Sequence, residues 1–215
     1  MKMTSAYRDI AKGDRYVQLA KTGACAFRFQ DSTNVTLSRL AIHAAPSAAI
    51  LSLGGGRGTF TVSECGIKIK PDAVPARIHS TNADGIHIAN FRGTPIIESN
   101  YFQGMTDDAI NILARGGVIT KFSQAEPKRI AIEGVLTPNA YRQGDQLQIV
   151  NTTTGEILGT PTIVSPPETA PGQFTQVYNV ELDTTIANLA ADTKGLPTAI
   201  GDFYDGNTVF NLSAA

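Results

Sequence analysis

The stretch Val35-Thr36-Leu37-Ser38-Arg39-Leu40-Ala41-Ile42 returns further along the chain as Phe60-Thr61-Val62-Ser63-Glu64-Cys65-Gly66-Ile67. A fainter third copy, Ile97-Glu98-Ser99-Asn100-Tyr101-Phe102, puts Ile97 at the Leu37/Val62 position, Asn100 at Leu40/Cys65 and Phe102 at Ile42/Ile67. Beside this ladder runs a second of nearly the same step: Asp84-Gly85-Ile86-His87-Ile88 reappears as Asp108-Ala109-Ile110-Asn111-Ile112. The repeated units are too short for helices and alternate apolar with polar residues, which is strand periodicity. Strands returning at a period of about 25 residues match one coil of a solenoid whose coils cover each other's cores. A leucine-rich repeat has a similar period but needs a leucine and asparagine pattern that is absent. The fold expected is all-β: a right-handed parallel β-helix with a small antiparallel insertion.

In such a coil equivalent positions stack about 4.8 Å apart. Val35 then lies on Phe60, and Ile86 and Ile88 lie on Ile110 and Ile112. Cys65 falls in a core slot, while alternation sends His87 and Asn111 outward, one on the other. Asn100, at a core-side bend, is expected to satisfy backbone groups inside the coil. From about residue 126 the coil pattern stops. Gly144–Val150 and Ile157–Thr160 flank the turn-like Asn151–Glu156 and read as an antiparallel hairpin, Gln176–Leu182 reads as a further strand, and Val164–Gly172 is proline-rich enough to read as a loop. The organisation expected is therefore coils with an N-terminal lead-in over 1–125, an inserted β unit over 126–200, and a return to the coil over 201–215.

The balance of 18 basic and 19 acidic residues, net charge -1, offers no electrostatic reason for a nucleic-acid or membrane partner. No apolar run is long enough to span a bilayer, and Met1–Ile10 lacks the pattern of a signal peptide. Cys25 and Cys65 have neither CxxC spacing nor clustered histidines, so they read as two thiols without a disulfide, and no metal site is expected. Exposed coil ends are where copies of such a chain would pair.

Asp84 stands one repeat before the pair Asp107-Asp108, so one coil gathers the three carboxylates at one sheet edge. Burying them unpaired would cost several kcal/mol each, which places them at the bend before the strand rather than in the core. Asp-Gly alone reads as a turn and Asp-Asp as a solvated pair; the coil registration is what points to a site. Mutual repulsion among three acids can set a proton-bearing acid beside an ionised base, the pair that glycoside hydrolysis requires without metal or organic cofactor. His87 and Asn111 border the cluster, and a loop from Pro71 to Ser80 overhangs it, bringing Arg77 and His79 as candidate contacts for sugar hydroxyls or carboxylates. His43 reads as a surface residue. Gly54-Gly55-Gly56-Arg57-Gly58 lacks the Lys-Ser/Thr ending of a phosphate loop and reads as a tight turn between coils.

His79-Ser80-Thr81-Asn82-Ala83-Asp84-Gly85-Ile86-His87, followed by Gly104-Met105-Thr106-Asp107-Asp108-Ala109-Ile110-Asn111, resembles glycoside hydrolase family 110. The resemblance runs from about Gly13 to the C-terminus and covers only the middle of a family member. It implies a β-helical, inverting exo-α-galactosidase acting on terminal α-1,3-linked galactose, secreted or periplasmic, with Asp84, Asp107 and Asp108 as the catalytic acids. The chain also looks like the polygalacturonases, but Asn82-Ala83-Asp84-Gly85 departs from their NTDG, and their Gly-His-Gly and Arg-x-Lys elements are missing. A reading of another class is a β-helical adhesin or tail-spike-like module that holds glycan without cleaving it; release of galactose from an α-galactoside separates the two.

Overall fold

The computed structural model describes residues 11–15, 23–114, 116–135, 140–151, 154–171, 176–187 and 207–211. Every regular element among them is a strand. The N-terminal part consists of three parallel sheets that the chain visits in turn. The first is β1 (Phe27–Gln30), β4 (Ile50–Leu53), β7 (Ile86–Ala89) and β10 (Ile110–Leu113), neighbours in that order. The second is β2 (Val35–Ser38), β5 (Thr59–Ser63) and β8 (Thr94–Glu98), and the third is β3 (Ala41–Ile42), β6 (Gly66–Ile67) and β9 (Tyr101–Phe102). Single parallel bridges link Ala45 to Thr81 and Thr81 to Met105.

The registers are those the repeat demands. Val35 pairs with Phe60 and Leu37 with Val62, which pairs in turn with Ile97; Ile67 pairs with Phe102. Ile86 pairs with Ile110 and His87 with Asn111. Their inward faces make one core of Ile42, Ile50, Phe60, Val62, Cys65, Ile67, Ile86, Ile88 and Phe91. An aromatic ladder threads it: Phe29 meets Phe60 edge-on at 5.4 Å and Phe60 meets Phe91 at 5.8 Å, spacings at which ring quadrupoles attract.

Two of the corners in each passage are left-handed residues in the same register. Arg39, Glu64 and Ser99, with φ of 54, 54 and 55°, turn the chain from the second sheet to the third. Asp31, Gly54 and Asn90 do so after the first, Gly54 and Gly58 being the bends of the glycine-rich segment. A side chain held there costs on the order of 1–2 kcal/mol, least for Asp and Asn. Asn100 acts as expected of it: its Oδ1 accepts from the Cys65 amide and its Nδ2 donates to the Val62 carbonyl, both at 2.8 Å. Cys65 is buried, its thiol donating to the Ser63 carbonyl at 3.3 Å, and both cysteines are free. His43 is not a plain surface residue; it is half-buried, with Nδ1 3.0 Å from the Lys68 carbonyl of the adjacent passage.

Beyond β10 the pairing becomes antiparallel. β11 (Gly117–Phe122), β12 (Arg129–Val135), β13 (Leu147–Asn151), β14 (Ile157–Gly159), β15 (Glu168–Pro171), β16 (Gln176–Glu181) and β17 (Asn207–Asn211) form one sheet in the order β14-β13-β17-β11-β12-β16-β15. The β13–β14 hairpin closes where the sequence placed its turn, with the Asn151 amide donating to the Glu156 carbonyl at 2.9 Å. Three expectations change. The switch to antiparallel pairing comes at Gly117, well before residue 126. The proline-rich segment is not all loop: Glu168–Pro171 pairs with β16 as an edge strand, a place where proline's missing N–H is tolerated. And Asn207–Asn211 does not resume a coil; it lies between β13 and β11, antiparallel to both.

The antiparallel sheet is fastened to the corners that follow the first parallel sheet. Arg92 makes a two-pronged ion pair with Asp145, both side chains buried, and Asp145 also accepts from the Arg142 amide at 2.8 Å. The Arg142 guanidinium reaches Asp31 at 2.9 Å and the Gly55 carbonyl at 2.8 Å.

Candidate active site

Asp84 and Asp108 each stand two residues before a strand of the first sheet, and their backbones stack. The Ala49 amide donates to the Asp84 carbonyl at 3.0 Å and the Gly85 amide to the Asp108 carbonyl at 2.8 Å. Glycine at 85 is required by close approach rather than by a left-handed bend. A Cβ there would meet the Ala109 carbonyl oxygen at 2.6 Å and the Phe102 ring at 2.9 Å. The segment entering the site is tied down before it arrives. Ser80 and Thr81 are fully buried; Ser80 Oγ donates to the Gln103 carbonyl at 2.7 Å and Thr81 Oγ1 to the Ala83 carbonyl at 2.5 Å. Sequence reasoning passed over these two hydroxyls, although small hydroxyl residues next to a bend are the usual local partners of backbone carbonyls.

This stacking brings one oxygen each of Asp84, Asp107 and Asp108 within 4.8 Å of the others. Asp84 is buried at 6% exposure, whereas Asp107 and Asp108 are exposed. The buried carboxylate is compensated: His87 Nδ1 lies 2.5 Å from Asp84 Oδ2. One passage along, Asn111 Nδ2 donates to Asp108 Oδ2 at 3.3 Å. His87 and Asn111 are stacked strand partners, so the two acids carry equivalent clamps three residues downstream. The three carboxylates are also hard-cation donors, but among the described residues no fourth His, Cys, Asp or Glu joins the group.

Arg77 and His79 are half-buried and line a hollow of about 430 Å³ with Asp14, Arg15 and the Pro75–Ile78 loop. No carboxylate pairs with either among the described residues. A larger hollow of about 600 Å³ opens on the antiparallel sheet between Phe122, Arg129, Pro166 and Glu181, a feature with no signature in the sequence.

No family model matches the chain. It is 27% identical over 137 residues, 62% of its length, to alpha-1,3-galactosidase A of Bacteroides fragilis. It is 31% identical over 105 residues, 46% of its length, to an alpha-1,3-galactosidase B of Phocaeicola vulgatus. A 36-residue stretch is 47% identical to alpha-1,3-galactosidase B of Akkermansia muciniphila. The chain spans about a fifth of the length of the first two, 22% and 17% respectively. Over as much as three-fifths of its length, then, this chain is related to proteins named alpha-1,3-galactosidases.

Proposed function

We propose that this chain carries the active-site coils of a glycoside hydrolase that removes terminal α-linked galactose, on a right-handed parallel β-helix interrupted by the antiparallel unit from Gly117 onward. The observation that carries the reading is the gathering of Asp84, Asp107 and Asp108 oxygens within 4.8 Å of one another by in-register stacking. The names of the relatives supply the substrate class. In this reading one aspartate protonates the glycosidic oxygen as the galactose leaves, and another takes a proton from the water that attacks the anomeric carbon. His87 and Asn111 border the sugar, and Arg77 and His79 meet more distant hydroxyls or carboxylates of the glycan. No metal or organic cofactor takes part.

Inversion needs a carboxyl separation of roughly 6.5–9.5 Å, so that water fits between base and sugar. The oxygens here approach more closely, within 4.8 Å. Their observed spacing favours a second reading, a retaining double displacement, for which carboxyls about 5 Å apart are suited.

Proton NMR of the first anomer released from an α-galactoside by the longer protein decides between them: β-galactose for inversion, α-galactose for retention. Asp84→Asn in that protein is expected to lower turnover by at least about a hundredfold with the fold intact, as loss of a general acid or base does. Full activity in that variant, or no galactose released by the parent, refutes the hydrolase assignment; glycan binding without turnover would indicate a carbohydrate-binding module.

A further inference from the structure

The two stacked clamps differ in one respect that matters chemically. Asn111 can orient Asp108 but cannot exchange a proton, whereas His87 holds Asp84 through a ring nitrogen whose partner decides the tautomer. From this difference we infer that His87 is a positioning residue for Asp84: its Nδ1–H donates to Oδ2 and fixes the carboxylate's orientation. The clamp distance is 2.5 Å, against 3.3 Å for Asn111 to Asp108. Its setting is more enclosed, with the His87 side chain 15% exposed and that of Asp84 8%. His87 lies on the middle of three paired strands, with Leu51 as its partner on one side and Asn111 on the other. Asp84 is thereby the enclosed member of the trio, while Asp108 is exposed and held at the longer distance. This inference rests on the proposed hydrolase for its catalytic consequence, but the clamp itself does not.

The test has two arms. In this chain, ¹⁵N NMR of the imidazoles reads the tautomer directly. There are only three histidines, so His87→Asn identifies the signal. The Nδ1-protonated form is expected, reverting toward the Nε2-protonated form of free imidazole in Asp84→Ala. A neutral His87 protonated on Nε2 in the parent overturns the clamp, whether or not the protein is an enzyme. In the longer protein, His87→Ala is expected to lower kcat by about tenfold or more while changing KM little. His87→Asn, which copies the neighbouring passage and keeps a donor, should restore most of it. Equal losses in both variants, or a loss confined to KM, overturn the positioning role and leave His87 as a sugar contact. A parent without galactosidase activity refutes the hydrolase, and the tautomer still decides the clamp.

Discussion

Replacing Asn100 by alanine tests whether stacking of the passages depends on side chains that reach between them. Its carboxamide spans two backbone groups of the preceding passage, the Cys65 amide and the Val62 carbonyl, at 2.8 Å each. Both residues are buried, Cys65 at 2% and Val62 at 0% exposure. Truncation leaves one buried N–H and one buried C=O without this partner, at about 1–3 kcal/mol for each group stranded. The N–H, with a single bond to make, should carry most of the cost, since a carbonyl has a second lone pair. The expected loss is about 2–3 kcal/mol, a large share of the roughly 5–15 kcal/mol that holds a domain together. Urea unfolding followed by circular dichroism should show the midpoint falling with the slope unchanged. Asn100→Asp keeps an acceptor for the Cys65 amide but sets a carboxylate oxygen against the Val62 carbonyl, so it should recover less than half the loss. If Asn100→Ala lies within about 0.5 kcal/mol of the parent, the range of an ordinary surface substitution, inter-passage side-chain bonding is not what fixes this corner.

Ile88 and Ile112 pair in register, yet one is 1% and the other 54% exposed; Ile88→Ala should cost about 2–5 kcal/mol and Ile112→Ala under about 1 kcal/mol in this chain, measured by the same urea midpoints. Arg92→Ala leaves Asp145 buried without its guanidinium and should cost about 3–5 kcal/mol, with proteolysis detecting loosening of the antiparallel sheet before the parallel part. Burial, reinforced by Tyr178 and Asp145, pushes the Tyr141 hydroxyl well above its ordinary range, so the folded chain keeps a proton that the unfolded chain releases near about pH 10. Stability is therefore untouched below about pH 10 and falls as pH rises past it; Tyr141→Phe should flatten that fall, seen as a smaller drop in Tm between about pH 9 and 11. The same variant should be neutral or slightly stabilising near neutral pH, because the hydroxyl is buried with no hydrogen-bond partner among the described residues.

What the sequence disclosed depended on range. The stacking of Val35 on Phe60 and of Ile86 on Ile110 was legible because each pair lies one passage apart and alternation fixes the face. The third copy was faint because its passage is longer: Phe60 pairs with Pro95, well beyond the step that separates Val35 from Phe60, the excess being the 68–80 loop. The gathering of the three carboxylates was legible for the same reason, through the one-passage step from Asp84 to Asp108. The site's internal bonding was not. Alternation says that His87 points outward but not that a carboxylate before the strand turns back to meet it, since the bend escapes the two-residue period. Asn207–Asn211 failed differently: its apolar pattern suits a coil strand and an antiparallel strand equally, and only pairing with β11 and β13 chooses.

The contrast between Asp84 and the other two acids follows from where the parallel sheets end. β10 is the edge strand of the first sheet, so its apolar side chains Ile110 and Ile112 are 42% and 54% exposed where Ile86 and Ile88 are buried. Asp107 and Asp108 lead into that strand and share its exposure, while Asp84 lies one strand deeper, walled by β4 on one side and β10 on the other. A further strand pairing with β10 would bury the two isoleucines, gaining about 25 cal/mol per Å² of apolar surface covered, and would wall the open side of the carboxylates. It would also desolvate Asp107 and Asp108, strengthening every charge interaction among the three acids as water leaves. The chain spans about a fifth of the length of its relatives. If a strand covers β10 in a longer chain, Ile112→Ala becomes costly there, at about 2–5 kcal/mol in place of under about 1 kcal/mol, read by the same urea midpoints.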